Sequence, residues 1–137
     1  MATDTCNSKD APPLPPLRVL LCDDDAVVGP ILEMGLEALG FYVRMAQNAV
    51  DALCVFAQDD FDIIIADYGM PGTNGVQLLR QIRETCPTVV TVILSGLHSS
   101  QLPTEEGLEC VDEWFMKPID MRRFGKRIRE LYLSSPT

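Results

Sequence analysis

The sequence lacks a hydrophobic run long enough to cross a membrane, and this absence argues against a membrane-spanning protein. A spanning helix needs about 20 consecutive apolar residues, whereas polar residues interrupt every apolar run here much sooner. The first residues, Met-Ala-Thr-Asp-Thr-Cys, also lack the basic and apolar segments of a secretion signal. We therefore expect a cytoplasmic protein whose 137 residues form one domain with a real core.

Histidine is nearly absent, and the cysteines are neither even in number nor closely spaced. His98 is the only histidine, so a histidine-based metal site or a Ser-His triad lacks material. The five cysteines never occur in C-x-x-C spacing. This pattern argues against a disulfide framework or a zinc site and is typical of a reducing cytoplasm.

Basic side chains are scarce over most of the chain, whose formal net charge is −9. Residues 1–116 hold 18 acidic and 5 basic side chains, whereas residues 117–137 hold 6 basic and 2 acidic ones. An acidic body disfavours direct nucleic-acid binding by this domain. The basic C-terminal segment is typical of a solvated helix face, although it also leaves a partner surface open.

Strand-like and helix-like segments alternate after a polar, proline-rich lead-in over residues 1–16. We expect this lead-in to be disordered, with a PxxP ligand role as the weaker alternative. Strands are predicted near 18–22, 41–45, 62–66, 89–94 and 112–116. Helices are predicted near 27–39, 48–57, 75–84 and 120–133, while Pro103 and Gly107 oppose a long helix within 97–110.

The alternation amounts to five β/α units and therefore predicts an α/β fold. We expect a doubly wound, five-stranded parallel sheet flanked by helices on both faces. The domain would cover residues 17–133, and residues 134–137 would be a tail or the start of a linker. The first helix is predicted to face the core through five residues: Ile31, Leu32, Gly35, Leu36 and Leu39.

Single residues mark the ends of three predicted helices. Gly40 follows the last periodic position of the first helix and would end it. Asn48 and Asp120 precede the second and last helices, where their side chains would cap the first turn.

Polar side chains follow four predicted strands at the point where each strand ends. They are the Asp23-Asp24-Asp25 run, Asp67, Ser95 and Lys117. The carboxyl ends of parallel strands meet at one edge of the sheet, where open α/β sheets bind their ligands. Neighbouring carboxylates repel one another unless a cation lies among them, and Mg²⁺ is the simplest choice.

This set of side chains suits a phosphoryl group. Mg²⁺ and Lys117 would neutralise its oxygens, and the hydroxyl of Ser95 would donate a hydrogen bond. Asp67 would be the nucleophile that accepts the group covalently.

Four strings of the sequence resemble the receiver domains of bacterial response regulators, and the resemblance covers Arg18 to about Leu133. The strings are VLLCDDD at 19–25, DYGMPGTNG at 67–75, LSG at 94–96 and WFMKP at 114–118. The resemblance implies a flavodoxin-like (βα)5 fold and a phosphorylation-dependent switch of a two-component system. It implies no turnover enzyme, only self-catalysed phosphorylation and slow autodephosphorylation.

The resemblance also implies roles for the acids. Asp67 would take a phosphoryl group from a sensor histidine kinase or a phosphotransfer protein. Asp23, Asp24 and Asp67 would hold Mg²⁺, directly or through water, together with the backbone carbonyl of Gly69.

Further roles follow from the same resemblance. Ser95 and Lys117 would bind the phosphoryl oxygens, and Trp114 would be the aromatic residue that turns on switching. The Lys117–Pro118 peptide bond would be cis. An output domain or downstream protein would respond to the switch, and a homodimer is compatible with it.

Other interpretations remain open at this stage. Asp23 and Asp25 formally fit the nucleophile and acid of a small Mg²⁺-dependent phosphohydrolase similar to the haloacid-dehalogenase superfamily, although Asp67 then stays unexplained. Purely structural roles are also open. Asp67 could serve simply as the first residue of a turn, and the acidic run could serve simply as the start of a helix. Trp114 could simply pack in the core.

Overall fold

The computed structural model describes residues 16–70, 74–96 and 108–134, without the side chain of Leu108. The strands are β1 Arg18–Cys22, β2 Tyr42–Ala46, β3 Ile63–Asp67, β4 Val90–Ser95 and β5 Glu113–Met116. The helices are α1 Val28–Ala38, α2 Ala49–Gln58, α3 Gly75–Thr85 and α4 Met121–Ser134. A 3₁₀ turn covers Leu108–Cys110. The predictions for residues 1–15, most of 97–110 and the tail after 134 lie outside the described residues.

All five strands belong to one parallel sheet with the order β2-β1-β3-β4-β5. This order is the one found in flavodoxin-like folds. Each predicted strand agrees with an observed strand to within one residue, and the predicted five-stranded parallel sheet is confirmed. Runs such as Ile63–Ala66 are fully buried because the central strands of a parallel sheet are covered on both faces.

The core consists of two clusters, one on each face of the sheet. On one face, buried residues of α2 and α3 such as Val55 and Leu79 pack against Ile64 and Ile93. On the other face, α1 and α4 contribute Leu36 and Phe124, among others, to the second cluster. The sheet is therefore covered by helices on both faces, as predicted. No helix in the described ranges is both long and apolar enough to cross a bilayer.

The predicted helix ends are confirmed where the structure describes them. The side chain of Asn48 accepts a hydrogen bond from the Asp51 N–H at 2.8 Å, and Asp120 accepts one from the Arg123 N–H at 3.2 Å. Gly40 follows α1 with a φ of 96°, a value that glycine adopts without the steric penalty of other residues.

The predicted inward face of α1 is wrong at Ile31, whose side chain is 57% exposed. The buried residues of this helix are Gly29, Leu32 and Leu36, which lie on one face at i, i+3 and i+7. Ile31 precedes Leu32 by one position, or about 100° of helix rotation, so the two side chains cannot both point at the sheet. Ile31 instead lines a surface groove described below.

Candidate functional site

Four predicted site residues lie at one edge of the sheet because the strands are parallel and in register. Asp67 ends β3 and pairs with Leu94, the residue before Ser95 at the end of β4. Asp23 and Lys117 directly follow β1 and β5, whose last residues pair with Ala66 and Ser95. The structure therefore brings together residues that are far apart in the chain.

Three carboxylates form a cluster at this edge. One oxygen each of Asp23, Asp24 and Asp67 lies within 4.8 Å of the others. Asp23 is buried, Asp67 is half-buried and Asp24 is exposed. Oxygen ligands in such a group, open to solvent on one side, suit a hard divalent cation that keeps some of its water.

An unsatisfied buried oxygen supports the fit of a cation. Oδ1 of Asp23 accepts a hydrogen bond from the Asp25 N–H at 2.9 Å. Oδ2 of Asp23 is buried and accepts no hydrogen bond within the described part of the chain. Leaving a buried charged oxygen without such a bond costs free energy, and a bound Mg²⁺ would remove that cost.

Lys117 lies between two of the acids. Its Nζ is 3.5 Å from Oδ2 of Asp23 and 3.5 Å from Oδ1 of Asp67. Both distances exceed the 2.7–2.9 Å of a charge-assisted hydrogen bond, so the ammonium group is near both carboxylates without binding either tightly. The Lys117 N–H donates to the Ser95 carbonyl at 2.8 Å, and the following bond to Pro118 is cis.

Burial changes the acidity of two groups at the site. It raises the pKa of Asp23 above the ordinary value, against the lowering effects of the Asp25 N–H and Lys117, and the nearby charge of Asp67 raises it further. Burial, and then the Asp23 charge, raises the pKa of Cys22 to about 12. Cys22 is therefore an inert buried thiol. The surroundings of Asp23 favour added positive charge.

Asp25 has a structural role. Its Oδ1 accepts hydrogen bonds from the N–H groups of Val27 and Val28, at 2.8 and 2.9 Å, where α1 begins. These bonds lower the pKa of Asp25, which makes it a poor proton donor. Asp25 also lies outside the carboxylate cluster. The phosphohydrolase interpretation, which needs Asp25 as the general acid, is therefore wrong.

The start of α3 packs closely against Asp67, a contact that no sequence pattern above predicted. A Cβ on Gly75 would lie 2.8 Å from the Asp67 carbonyl oxygen and 2.8 Å from Cδ1 of Ile93, so glycine permits the close approach. Asn74 and Gln77 hold the start of α3 with a capping box. The signal was available, because Asn-x-x-Gln before an apolar run is a helix-start pattern.

The loop after β3 places Gly69 and Tyr68 beside the acids. The Gly69 N–H donates to Oδ1 of Asp67 at 3.4 Å; the role of its carbonyl as a metal ligand stays a prediction. The Tyr68 ring lies 6.1 Å from the Trp114 ring, with 52° between their planes. Trp114 is half-buried and packs against the core, so its role as a switch also stays a prediction.

An apolar groove of about 430 Å³ adjoins Lys117. Its apolar walls come from α1, from the segment between β5 and α4, and from the start of α4, and they include Ile31, Pro118 and Met121. The groove gives a second molecule apolar surface to contact directly beside the acidic cluster.

Comparison with known proteins identifies relatives along most of the chain. The sequence model of the response regulator receiver domain matches residues 19–129. The response regulator MprA from Mycobacterium sp. (strain KMS) is 31% identical over 117 residues, which are 85% of this chain and 50% of that protein. The transcriptional regulatory protein ResD from Bacillus subtilis (strain 168) is 29% identical over 83% of this chain and 47% of its own length. The chain thus spans about half the length of these curated relatives.

Solved structures share the fold. The receiver domain of the Francisella response regulator 1452 is 28% identical with a TM-score of 0.75, covering 85% of this chain and 97% of that one. The response regulator protein TrrA from Thermotoga maritima, solved in complex with Mg²⁺-BeF, is 23% identical with a TM-score of 0.76. That match covers 84% of this chain and 98% of TrrA.

Proposed function

We propose that Asp67 is the phosphoryl acceptor of this chain, which belongs to the response regulator receiver domain family. The chain is thus a receiver domain of the two-component type, a regulatory rather than a catalytic module. One observation carries the assignment of residues. Lys117 lies 3.5 Å from the carboxylates of both Asp67 and Asp23, so a cation and a second carboxylate flank the proposed nucleophile.

In the proposed reaction, an Asp67 oxygen attacks the phosphorus of a phosphohistidine on a sensor kinase or phosphotransfer protein. A P–O bond forms, the P–N bond breaks and the histidine nitrogen keeps the electron pair. Asp23, Asp24 and Asp67, with the Gly69 carbonyl, would hold Mg²⁺. When bound, this ion would neutralise charge on the phosphoryl oxygens, and the Mg²⁺-BeF complex of the relative TrrA supports this choice of metal.

The remaining site residues bind the product. Phosphorylation adds about −1.5 to −2 charge to an already acidic edge. Lys117 can approach the phosphoryl oxygens because it is bound tightly to neither carboxylate, and its N–H to the Ser95 carbonyl keeps β4 and β5 together. Ser95 would donate a hydroxyl hydrogen bond, and Trp114 would report the change on the surface of β5.

Partners follow from the same proposal. The phosphodonor protein would contact the apolar groove beside Lys117, because it must bring its phosphohistidine to Asp67. Relatives such as ResD are named transcriptional regulatory proteins and are about twice as long as the matched region, so we propose that an output domain responds to the switch. A cytoplasmic location belongs to this proposal, and the free thiols of Cys22, Cys54, Cys86 and Cys110 support it.

The test is to incubate the chain with Mg²⁺ and acetyl phosphate, reduce the acyl phosphate with borohydride and map the modified residue by mass spectrometry. We expect the label on Asp67. The Asp67→Asn variant should lose at least about 100-fold of the labelling because an amide is a far weaker nucleophile. Asp59→Asn, at the opposite edge of the sheet, is the matched control and should be labelled like the wild type. A label on Asp23, or undiminished labelling of Asp67→Asn, would refute the assignment.

A further inference from the structure

Tyr68 connects the proposed acceptor to the aromatic residue of β5. It directly follows Asp67, and its backbone N–H donates to the Leu94 carbonyl on β4 at 2.8 Å. Its ring lies 6.1 Å from the ring of Trp114 at an angle of 52°. Both rings are half-buried and pack against the core cluster on the α2 and α3 face.

The register explains how these two rings meet. Trp114 pairs with Ile93 on β4, and Ile93 pairs with Ala66 on β3. The Trp114 side chain therefore extends across β4 to reach Tyr68, which lies just beyond the end of β3. Ser95 follows Ile93 by two positions and shares its face of the sheet. The aromatic pair thus lies on the same face of the sheet as Ser95. Its two rings come from the two sides of β4, one from the end of β3 and one from β5.

The Tyr68–Trp114 pair is distinct from the other aromatic pairs in the described ranges. Phe56 and Phe61 stack at the amino end of β3, in the same core cluster but away from Asp67. Phe115 and Phe124 meet on the opposite face of the sheet. Of the ring pairs among the described residues, the Tyr68–Trp114 pair is the one that contains the residue next to Asp67 in the chain.

We propose that Tyr68 is a positioning residue that transmits phosphorylation of Asp67 to Trp114 through the contact between their rings. The inference rests on the proposed function of Asp67. A phosphoryl group attracts Lys117 and Ser95, and it displaces the backbone of the residue that carries it. The Tyr68 peptide is covalently joined to Asp67 and hydrogen-bonded to the Leu94 carbonyl beside Ser95, so a movement of Asp67 or Ser95 shifts the Tyr68 ring and changes the packing of Trp114.

The chain offers a direct optical test because Trp114 is its only tryptophan. Beryllofluoride with Mg²⁺ serves as the probe, since it mimics a phosphoryl group on a carboxylate. Wild-type protein should change its tryptophan emission when the probe binds. In Tyr68→Leu the amplitude should fall by at least about twofold, because the ring contact is lost. Tyr68→Phe keeps the ring and should restore the full amplitude.

Binding is measured separately by fluorine NMR, and Tyr68→Leu should bind beryllofluoride within about threefold of the wild type because Tyr68 is not a ligand. Phe56→Leu is the matched control: it removes an aromatic contact from the same core cluster and should keep the wild-type emission change. Should Tyr68→Leu fail to fold by circular dichroism, Tyr68→Met provides the same test with an unbranched side chain.

The outcomes separate the two proposals. An unchanged amplitude in Tyr68→Leu or Tyr68→Met would overturn the role of Tyr68, as would an equal loss in Phe56→Leu. Wild-type protein that binds beryllofluoride without any emission change would overturn it as well. If wild-type protein does not bind the probe at all, the proposed function of Asp67 fails, and the inference about Tyr68 fails with it.

Discussion

The two edges of the sheet use the same kinds of charged residue but pair them differently. At the amino edge, the Arg18 N–H donates to Asp62 at 2.9 Å, and its guanidinium group pairs with Asp59. Oδ2 of Asp112 accepts from the Thr91 N–H at 2.9 Å and from Nη2 of Arg83 at 2.8 Å. Nε of Arg83 is buried without a hydrogen bond in the described residues, but the charge of this side chain is paired.

At the carboxyl edge the pairing is incomplete. Asp23 has a buried oxygen with no hydrogen bond within the described ranges, and Lys117 lies 3.5 Å from both Asp23 and Asp67. The paired charges at the amino edge contribute to stability. The incompletely paired carboxylates at the carboxyl edge instead favour binding of a cation and, with it, of a phosphoryl group. The acids that stabilise the fold therefore differ from the acids that serve the site in how they are paired, although all are aspartates in the segments at or next to strand ends.

The largest effect is expected from removing Lys117, the cation at the carboxyl edge. Lys117→Ala removes the cation from two carboxylates, one of them buried, and breaking such a pair costs roughly 3 kcal/mol of unfolding free energy. Mg²⁺ should restore at least half of this loss, since it supplies the missing positive charge, and the emission response to beryllofluoride should disappear. Urea denaturation with and without Mg²⁺ measures the effect.

The exposed lysine Lys126 on α4 provides the control for Lys117. Lys126→Ala should change the unfolding free energy by less than about 0.5 kcal/mol and should keep the Mg²⁺ dependence of the wild type. If Lys117→Ala lost the same stability with and without Mg²⁺, the ion would not share the carboxylates with this lysine.

The sequence predicted the positions of the site residues better than the contacts between them. Asp67 follows the apolar run Ile63–Ala66, which is typical of a buried parallel strand, and that run is fully buried. Lys117 was placed correctly as well, although its strand β5 is only partly buried. Ile31 was misplaced because two adjacent apolar residues fit a helical period equally well. The contact between Tyr68 and Trp114 depends on the register of three strands, and no local pattern encodes that register.

The amino-edge network was also invisible in the sequence. Asp112 lies 21 residues after its partner Thr91, and a single acid before a strand has no periodicity to mark it. Its importance follows from tertiary structure alone, because Thr91 is fully buried and needs an acceptor for its N–H.

The second-largest effect is expected from removing Asp112, the shared acceptor at the amino edge. Asp112→Ala should lower the unfolding free energy by roughly 2 kcal/mol, because the buried Thr91 N–H loses its acceptor and Arg83 loses its charged partner. Unlike the loss in Lys117→Ala, this loss should not respond to Mg²⁺, and labelling by acetyl phosphate should stay at the wild-type level. Urea denaturation tests the first point, with Glu37→Ala on the exposed side of α1 as the control. A recovery in Mg²⁺ would contradict the division between the two edges.

The smallest expected effect concerns Asp59 and depends on pH. Its pKa is lowered, first by the hydrogen bond from the Asp60 N–H and then by Arg18 and Tyr42, against the opposing effect of burial; Arg44 also lies 3.9 Å away. A lowered pKa in the folded state means that the charged form stabilises the fold. This contribution is complete above the ordinary value of 3.8 and is lost as the pH falls through the lower value of the folded state.

Asp59→Asn removes the titrating group and should therefore be less stable than the wild type at neutral pH. The difference between their urea midpoints should shrink below about pH 4, because the wild-type carboxylate then also becomes neutral. Glu37→Gln serves as the charge-matched control on an exposed helix face. A difference that widened on acidification would mean that the Asp59 carboxylate is stabilised in its protonated form, and the amino edge would then no longer count as matched.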